Sequence, residues 1–166
     1  MTLHDPPTVQ GFRDAAVRAF DFLRAEYGFR VAAAEFRALS PGFMGDPVSV
    51  DDAGSARLGQ GVVTVRFESR DVAVVVGDDP RLETMCQLYR LAAPEGRVDL
   101  WHVRSFVGVG DRQLYEWGSA TMGSVLPALA DALARHGGPW LRGEPRAWQT
   151  LLRWWANGMP PSRPHV

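Results

Sequence analysis

The 166-residue sequence contains no lysine, and all 18 of its basic residues are arginine. GC-rich codon usage explains that bias more simply than selection for bidentate arginine contacts does, so it points to no ligand. Cysteine is nearly absent as well. Cys86 stands alone, which excludes an intrachain disulfide and gives no sign of an oxidising compartment. Long hydrophobic runs are missing: the longest last a few residues, far short of the ~20 that span a bilayer. The opening residues, Met1-Thr-Leu-His-Asp-Pro-Pro7, lack the basic and apolar regions of a signal peptide. A cytoplasmic bacterial protein with no membrane partner is the expectation. Excess charge of either sign is missing too, with 19 acidic residues against 18 basic and a net charge of −1. A general nucleic-acid binder would be basic and a nucleic-acid mimic strongly acidic, so no nucleic-acid partner is expected.

Catalytic and metal motifs are the remaining absence. The four histidines, His4, His102, His136 and His165, are scattered, and no Cys-x-x-Cys, His-x-x-x-His or His-Glu-x-x-His occurs. The pairs Asp51-Asp52 and Asp78-Asp79 lack the spacing of an EF-hand and suit turns better. Gly108-Val-Gly110 lacks the spacing and following helix of a dinucleotide or P-loop site, and there is no Gly-x-Ser-x-Gly. Cys86 has no base in its local sequence and reads as a small core residue. These absences predict a protein without metal, cofactor or catalytic centre.

What is present is enough apolar material, 46% of the chain, for one domain over residues 1–158. A flexible tail over 159–166, with three prolines, is expected to follow it. The organising stretch is Gly61-Val-Val-Thr-Val-Arg-Phe-Glu-Ser-Arg-Asp-Val-Ala-Val-Val-Val-Gly77. Val63, Val65 and Phe67 alternate with Thr64, Arg66 and Glu68, the period of a half-buried strand. A hairpin with a loop over 68–71 sets Phe67 against Val72, Val65 against Val74 and Val63 against Val76, all on one face. A two-residue Ser-Arg turn is disfavoured, because it places Glu68 opposite Asp71.

Before the hairpin, 9–27 reads as one amphipathic helix. Its inner stripe is Phe12, Ala15, Ala16, Ala19, Leu23 and Tyr27, with Thr8 as N-cap, Gly28 as C-terminal stop and an Asp14–Arg18 pair outside. Residues 29–39 fit either a returning strand or a helix, with the strand favoured by Phe29, Val31 and Phe36. Ser40-Pro41-Gly42 and Gly45-Asp46-Pro47 are breaks around a short strand at 48–50, and a turn-rich loop fills 51–61. After the hairpin, Asp78-Asp79-Pro80 reads as a loop and 82–91 as a strand or a short helix. Pro94-Glu95-Gly96 is a predicted turn. Residues 98–109 are a predicted fourth strand, with Trp101, Val103, Val107 and Val109 inward and His102 and Arg104 outward. Helices are expected at 125–136, capped by Ser124 with Pro127 in its first turn, and from Glu144-Pro145 to about Ala156. The result is an α+β domain: an antiparallel meander of about four strands, with an N-terminal and two C-terminal helices on one face.

On the open face of that sheet His102 and Arg104 would sit near Arg66, Thr64 and Glu68. A histidine beside a carboxylate can take a proton and arginines can bind an anion, although polar residues there also serve plain solvation. Among the six tryptophans, Trp101, Trp148 and Trp155 fit buried stripes, whereas Trp117 and Trp140 fall in loops. Trp154 lies off the inner face of its helix, where exposed tryptophan marks interaction surfaces. The expected binding residues are therefore Arg66, His102, Arg104 and Trp154. Two functions compete: a non-enzymatic module for a protein partner or for self-association, and a small-ligand domain or enzyme around His102 and Arg104.

Three stretches add a family resemblance. They are Phe20-Asp-Phe-Leu-Arg-Ala-Glu-Tyr-Gly-Phe29, Val65-Arg-Phe-Glu-Ser-Arg-Asp-Val-Ala-Val74, and Leu133-Ala-Arg-His-Gly-Gly-Pro-Trp-Leu-Arg-Gly-Glu-Pro-Arg-Ala-Trp148. In this order the chain resembles small uncharacterised bacterial proteins, among them immunity proteins of toxin–immunity systems. The resemblance implies a stoichiometric binder that occludes a toxin and carries no catalytic residues. A near-neutral charge would then disfavour a strongly basic nuclease as the toxin.

Overall fold

The alternation at 61–68 becomes strand β3 (Gly61–Glu68), with Val63, Val65 and Phe67 buried on one face and Thr64, Arg66 and Glu68 on the other. In the computed structural model, which describes residues 8–38, 48–50, 61–79, 83–109 and 122–159, β3 lies inside a six-stranded antiparallel sheet. Its companions are β1 (Arg30–Ala38), β2 (Val48–Ser49), β4 (Val72–Asp79), β5 (Glu83–Arg90) and β6 (Ala93–Asp99). The spatial order β2-β1-β3-β4-β5-β6 makes β3 to β6 a meander, while β1 closes on the free side of β3. The expected α+β class holds. There are more strands than the four or so expected because the ambiguous stretch at 29–39 and the short stretch at 48–50 both join the sheet, as β1 and β2, while 82–91 is the strand expected there.

The hairpin is shifted by two residues from the expected register. Phe67 faces Val74, Val65 faces Val76, and Glu68 faces Ala73. A one-residue slip would turn every valine to the wrong face, but a two-residue slip keeps them all inward. The turn supplies the reason. The Ser69 N–H donates to the Val72 carbonyl at 2.9 Å, and the Val72 N–H donates to Ser69 Oγ at 3.2 Å. Closing on Val72 also keeps Glu68 and Asp71 from facing each other. Asp78 and Asp79, expected in a loop, continue β4, and Pro80 lies outside the described residues.

The expected helix over 9–27 is two helices, α1 (Val9–Ala19) and α2 (Asp21–Tyr27), broken at Phe20. The break turns the buried Phe20 ring onto Phe67 of β3, with centroids 5.9 Å apart in a stacked arrangement. Phe12 and Ala16 of α1 and Leu23 of α2 share the same core. Asp14 does not reach Arg18. It takes hydrogen bonds from Gln10 at 3.0 Å and Arg13 at 3.4 Å instead. Both expected ends are present: Gly28 terminates α2 at φ 70°, and Thr8 Oγ1 accepts the Gly11 N–H at 3.0 Å. Thr8→Ala is therefore expected to cost about 1 kcal/mol in a urea denaturation series, and Thr8→Asn to cost nearly nothing.

The largest correction lies after β5. The turn is at Leu91-Ala92, and Pro94-Glu95-Gly96 belongs to β6. β6 ends at Asp99, and 100–106 is a helix, α3 (Leu100–Phe106), where a strand was expected. Trp101, Val103 and Val107 alternate like a strand, yet Leu100 and Val103 lie one helical turn apart and bury together. Asp99 at the N-cap and His102 three residues on form a capping box that starts the helix.

The C-terminal part holds α4 (Met122–His136), α5 (Gly138–Leu141) and α6 (Pro145–Ala156). Leu126, Leu129, Ala130 and Leu133 form the buried stripe of α4 as expected. Ser124 is inside this helix rather than its cap, and Pro127 sits in the second turn. α5 and α6 are tied by reciprocal bonds between their tryptophans. Trp148 Nε1–H donates to the Trp140 carbonyl and Trp140 Nε1–H to the Ala147 carbonyl, each at 3.1 Å. The helices cover the Val63/Val65/Phe67 face of the sheet with one continuous core.

Candidate functional site

The side chains that stand out lie on α3 and α6, beside the edge strand β6. Burying Leu100 and Val103 under α4 turns Trp101 outward, 44% exposed. On α6 the last turn carries Trp155 past the core to the surface, 38% exposed. His102 joins the two rings. Its imidazole meets Trp101 edge-on at 5.0 Å and Trp155 at 5.1 Å with a 44° tilt. Exposed Val107 and Met159 follow the ends of α3 and α6. Paired rings braced by a third bind with little entropy left to lose, which is the character of interface hot spots.

The imidazole is held from its other side. Nδ1 accepts the Asp99 backbone N–H at 3.1 Å, so the ring is neutral and carries its proton on Nε2. Burial pushes its pKa below the ordinary 6.5, against a smaller upward pull from the Asp99 carboxylate. Asp99 Oδ1 is itself held by Gln87 of β5 at 3.0 Å. Sheet, helix cap and aromatic surface are thus joined through one histidine.

The expected binding residues do not assemble on the open sheet face. Arg66 lies on that face of β3, 3.0 Å from Glu68, which also approaches Arg30 at 3.9 Å. The strand registers set Arg66, Val75, Gln87 and Asp99 in one row across β3 to β6. At about 4.8 Å per strand, Arg66 is roughly 14 Å from Asp99, and His102 lies beyond it on α3. Arg104 is buried on α3, where burial pulls its pKa down. It belongs to the helix core and not to a solvated sheet face.

Trp154, expected to be exposed, is half-buried against Phe106 of α3, with centroids 5.5 Å apart. The inner face of α6 is centred on Leu151, not Leu152. Trp154 and Trp148 then lie about 60° to either side of that centre and both pack inward. Trp140, expected in a loop, is buried in α5 against the same Phe106 ring at 5.8 Å. Trp101 and Trp155, assigned to the core by their spacing, are the ones left outside. The signal that could have found this site is Asp99-x-x-His102 ahead of Val103 and Phe106, the pattern of a capped helix. Trp117, His4 and His165 lie outside the described residues.

The open face also holds a small buried apolar cluster of Ala73, Val75 and Tyr89. Arg97 lies over the Tyr89 ring at 4.7 Å and bonds Gln87 at 3.4 Å, so long side chains shelter the small ones. Cys86 is buried on the helix-covered face, where burial pushes its thiol pKa up and leaves it inert. Among the described residues no group of histidine, cysteine and carboxylate side chains could hold a metal ion, and no helix is long and apolar enough to cross a membrane. The chain matches no family model, no curated protein and no solved structure.

Proposed function

We propose that this protein is a non-enzymatic protein-binding module whose contact surface is the Trp101–His102–Trp155 cluster. The observation that carries the reading is the exposure of two tryptophans held in place across one histidine. Large rings left in water cost free energy that a partner recovers, and preorganised rings give up little entropy on docking. A stoichiometric immunity-type binder that occludes a toxin is the narrower form of this proposal. Its support is the resemblance of the helix–hairpin–helix stretches, together with a near-neutral charge that fits a partner without a strong field.

The test is a pull-down from native lysate with wild type and with the Trp101→Ala/Trp155→Ala double variant. A partner held by wild type is expected to bind the double variant on the order of 100-fold more weakly. Circular dichroism should be unchanged, since neither ring fills the core. Equal recovery of every partner by both proteins would remove the surface from consideration.

A further inference from the structure

We propose that His102 is a proton-operated catch: protonation at Nδ1 breaks its bond from the Asp99 N–H, and the ring swings toward the Asp99 carboxylate and unseats Trp101 and Trp155. The aromatic surface then exists in two shapes, one above and one below the titration of a single side chain. The catch is a property of the chain alone. It stands or falls whether or not the surface has a partner, so its failure is separable from that of the binding proposal.

The geometry carries the argument. In the observed state the Nδ1 lone pair is used by the Asp99 N–H at 3.1 Å. A solvent proton bonded to Nδ1 takes that lone pair, and the two N–H groups then point at each other. The bond cannot survive in that state. An alternative partner stands close by, because Asp99 Oδ2 is 3.7 Å from Nδ1, a gap that a modest ring rotation closes into a charge-assisted bond. The ring cannot rotate alone. Trp101 and Trp155 are packed on it at 5.0 and 5.1 Å, so reorientation moves both. It also removes one half of the capping box that starts a helix of seven residues. Such a short helix has few other hydrogen bonds to hold its first turn.

The charged surroundings leave this choice to Asp99. From β6, Asp99 faces the ring, while Arg97 is turned to Gln87 and Tyr89. From β5 the nearest group in this chain of bonds is the uncharged amide of Gln87, which holds Asp99 Oδ1; the carboxylate also takes the His102 backbone N–H in the capping box, and its Oδ2 is the oxygen 3.7 Å from Nδ1. α6 presents Trp155 to the ring, with Arg153 exposed on that helix. On α4, Asp131 and Arg135 are exposed and paired with each other at 3.0 Å. Arg104 lies on α3 itself and is buried. Burial holds the histidine neutral, with Asp99 as the opposing influence.

The sign follows from linkage. The folded pKa is below the unfolded one, so the unfolded chain binds the proton more readily. Stability from this residue is complete above pH 6.5 and is lost as the pH falls through 6.5 toward the folded pKa.

The decisive experiment is a pH titration of wild-type protein from pH 8 to pH 5, read by NMR at the Asp99 amide, the His102 ring and the Trp101 and Trp155 indoles. All four are expected to move together with one midpoint below 6.5, and the Asp99 amide should lose its protection from exchange. His102→Gln keeps a capping acceptor that cannot be protonated and should abolish the shared transition, whereas His136→Gln should leave it intact. A ring that titrates at or above 6.5, or that titrates while the Asp99 amide and the indoles stay still, overturns the proposal. So does a transition that persists in His102→Gln. The wild-type titration decides the matter even if a variant fails to fold.

Discussion

Trp148→Ala is expected to lower the free energy of unfolding by about 3–5 kcal/mol, against a total of roughly 5–15 kcal/mol for domains in general. The ring is 1% exposed, the largest fully buried side chain described. Its removal withdraws a bicyclic ring from a core shared by α5, α6 and the sheet, and leaves a cavity that the close-packed surroundings fill only in part. The lost hydrogen bond is the smaller part. The Trp140 carbonyl that receives Trp148 Nε1–H also receives the Gly143 N–H at 3.0 Å, so it stays satisfied. Trp148→Phe, which keeps most of the volume, is expected to lose about half as much. Urea midpoints with unchanged slopes measure both. A loss below about 1 kcal/mol for Trp148→Ala would mean the ring does not hold the helical layer.

Gly61→Ala is expected to cost about 3 kcal/mol or more, an unusual penalty for one methyl group on a strand. A β-carbon at 61 would fall on the Arg37 carbonyl oxygen and within 2.6 Å of two Phe36 ring atoms. Phe36 is buried, and Gly61 pairs with Ala38 at the start of the β1–β3 ladder. Neither the carbonyl nor the ring can retreat without parting β1 from β3. Gly96→Ala is the control. There a β-carbon would meet Leu152 and the Ala93 carbonyl oxygen at 3.5 Å, an ordinary contact, and the cost should stay within about 1 kcal/mol of zero. If the two variants melt alike, the close approach of β1 to β3 at Gly61 is wrong.

The parts of this fold legible in sequence are those whose burial is decided within one element. Thr8, Gly28, the valines of β3 and β4 and the stripe of α4 all carry local periodicity or capping chemistry that tertiary contacts do not overrule. The failures occur where two readings share one pattern. Residues 100–107 alternate in apolarity and are rich in β-branched and aromatic side chains, yet a cap at Asp99 and the burial of Leu100 with Val103 make them a helix. That one misreading moved His102 and Arg104 from helix to sheet and paired them with Arg66. The tryptophans failed for a related reason. Which of Trp154 and Trp155 faces outward depends on where Phe106 arrives from α3, and nothing in α6 encodes that. The helix that carries the candidate site was thus legible only through the Asp99-x-x-His102 cap, while the outward turn of Trp101 and Trp155 was not, although His102 itself was singled out for other reasons.

The edge position of β6 sets the manner in which copies of this chain can meet. β6 pairs with β5 on one side and, among the described residues, has no strand on the other. Pro94 lacks an N–H to offer an incoming strand, and Glu95 and Arg97 stand exposed on the same stretch. A flat run of valines there would recruit neighbouring chains into a growing ribbon. Proline and charge instead make the rim a poor template for sheet growth, so a contact between copies along this edge would have to be made by side chains and would end with the pair that makes it.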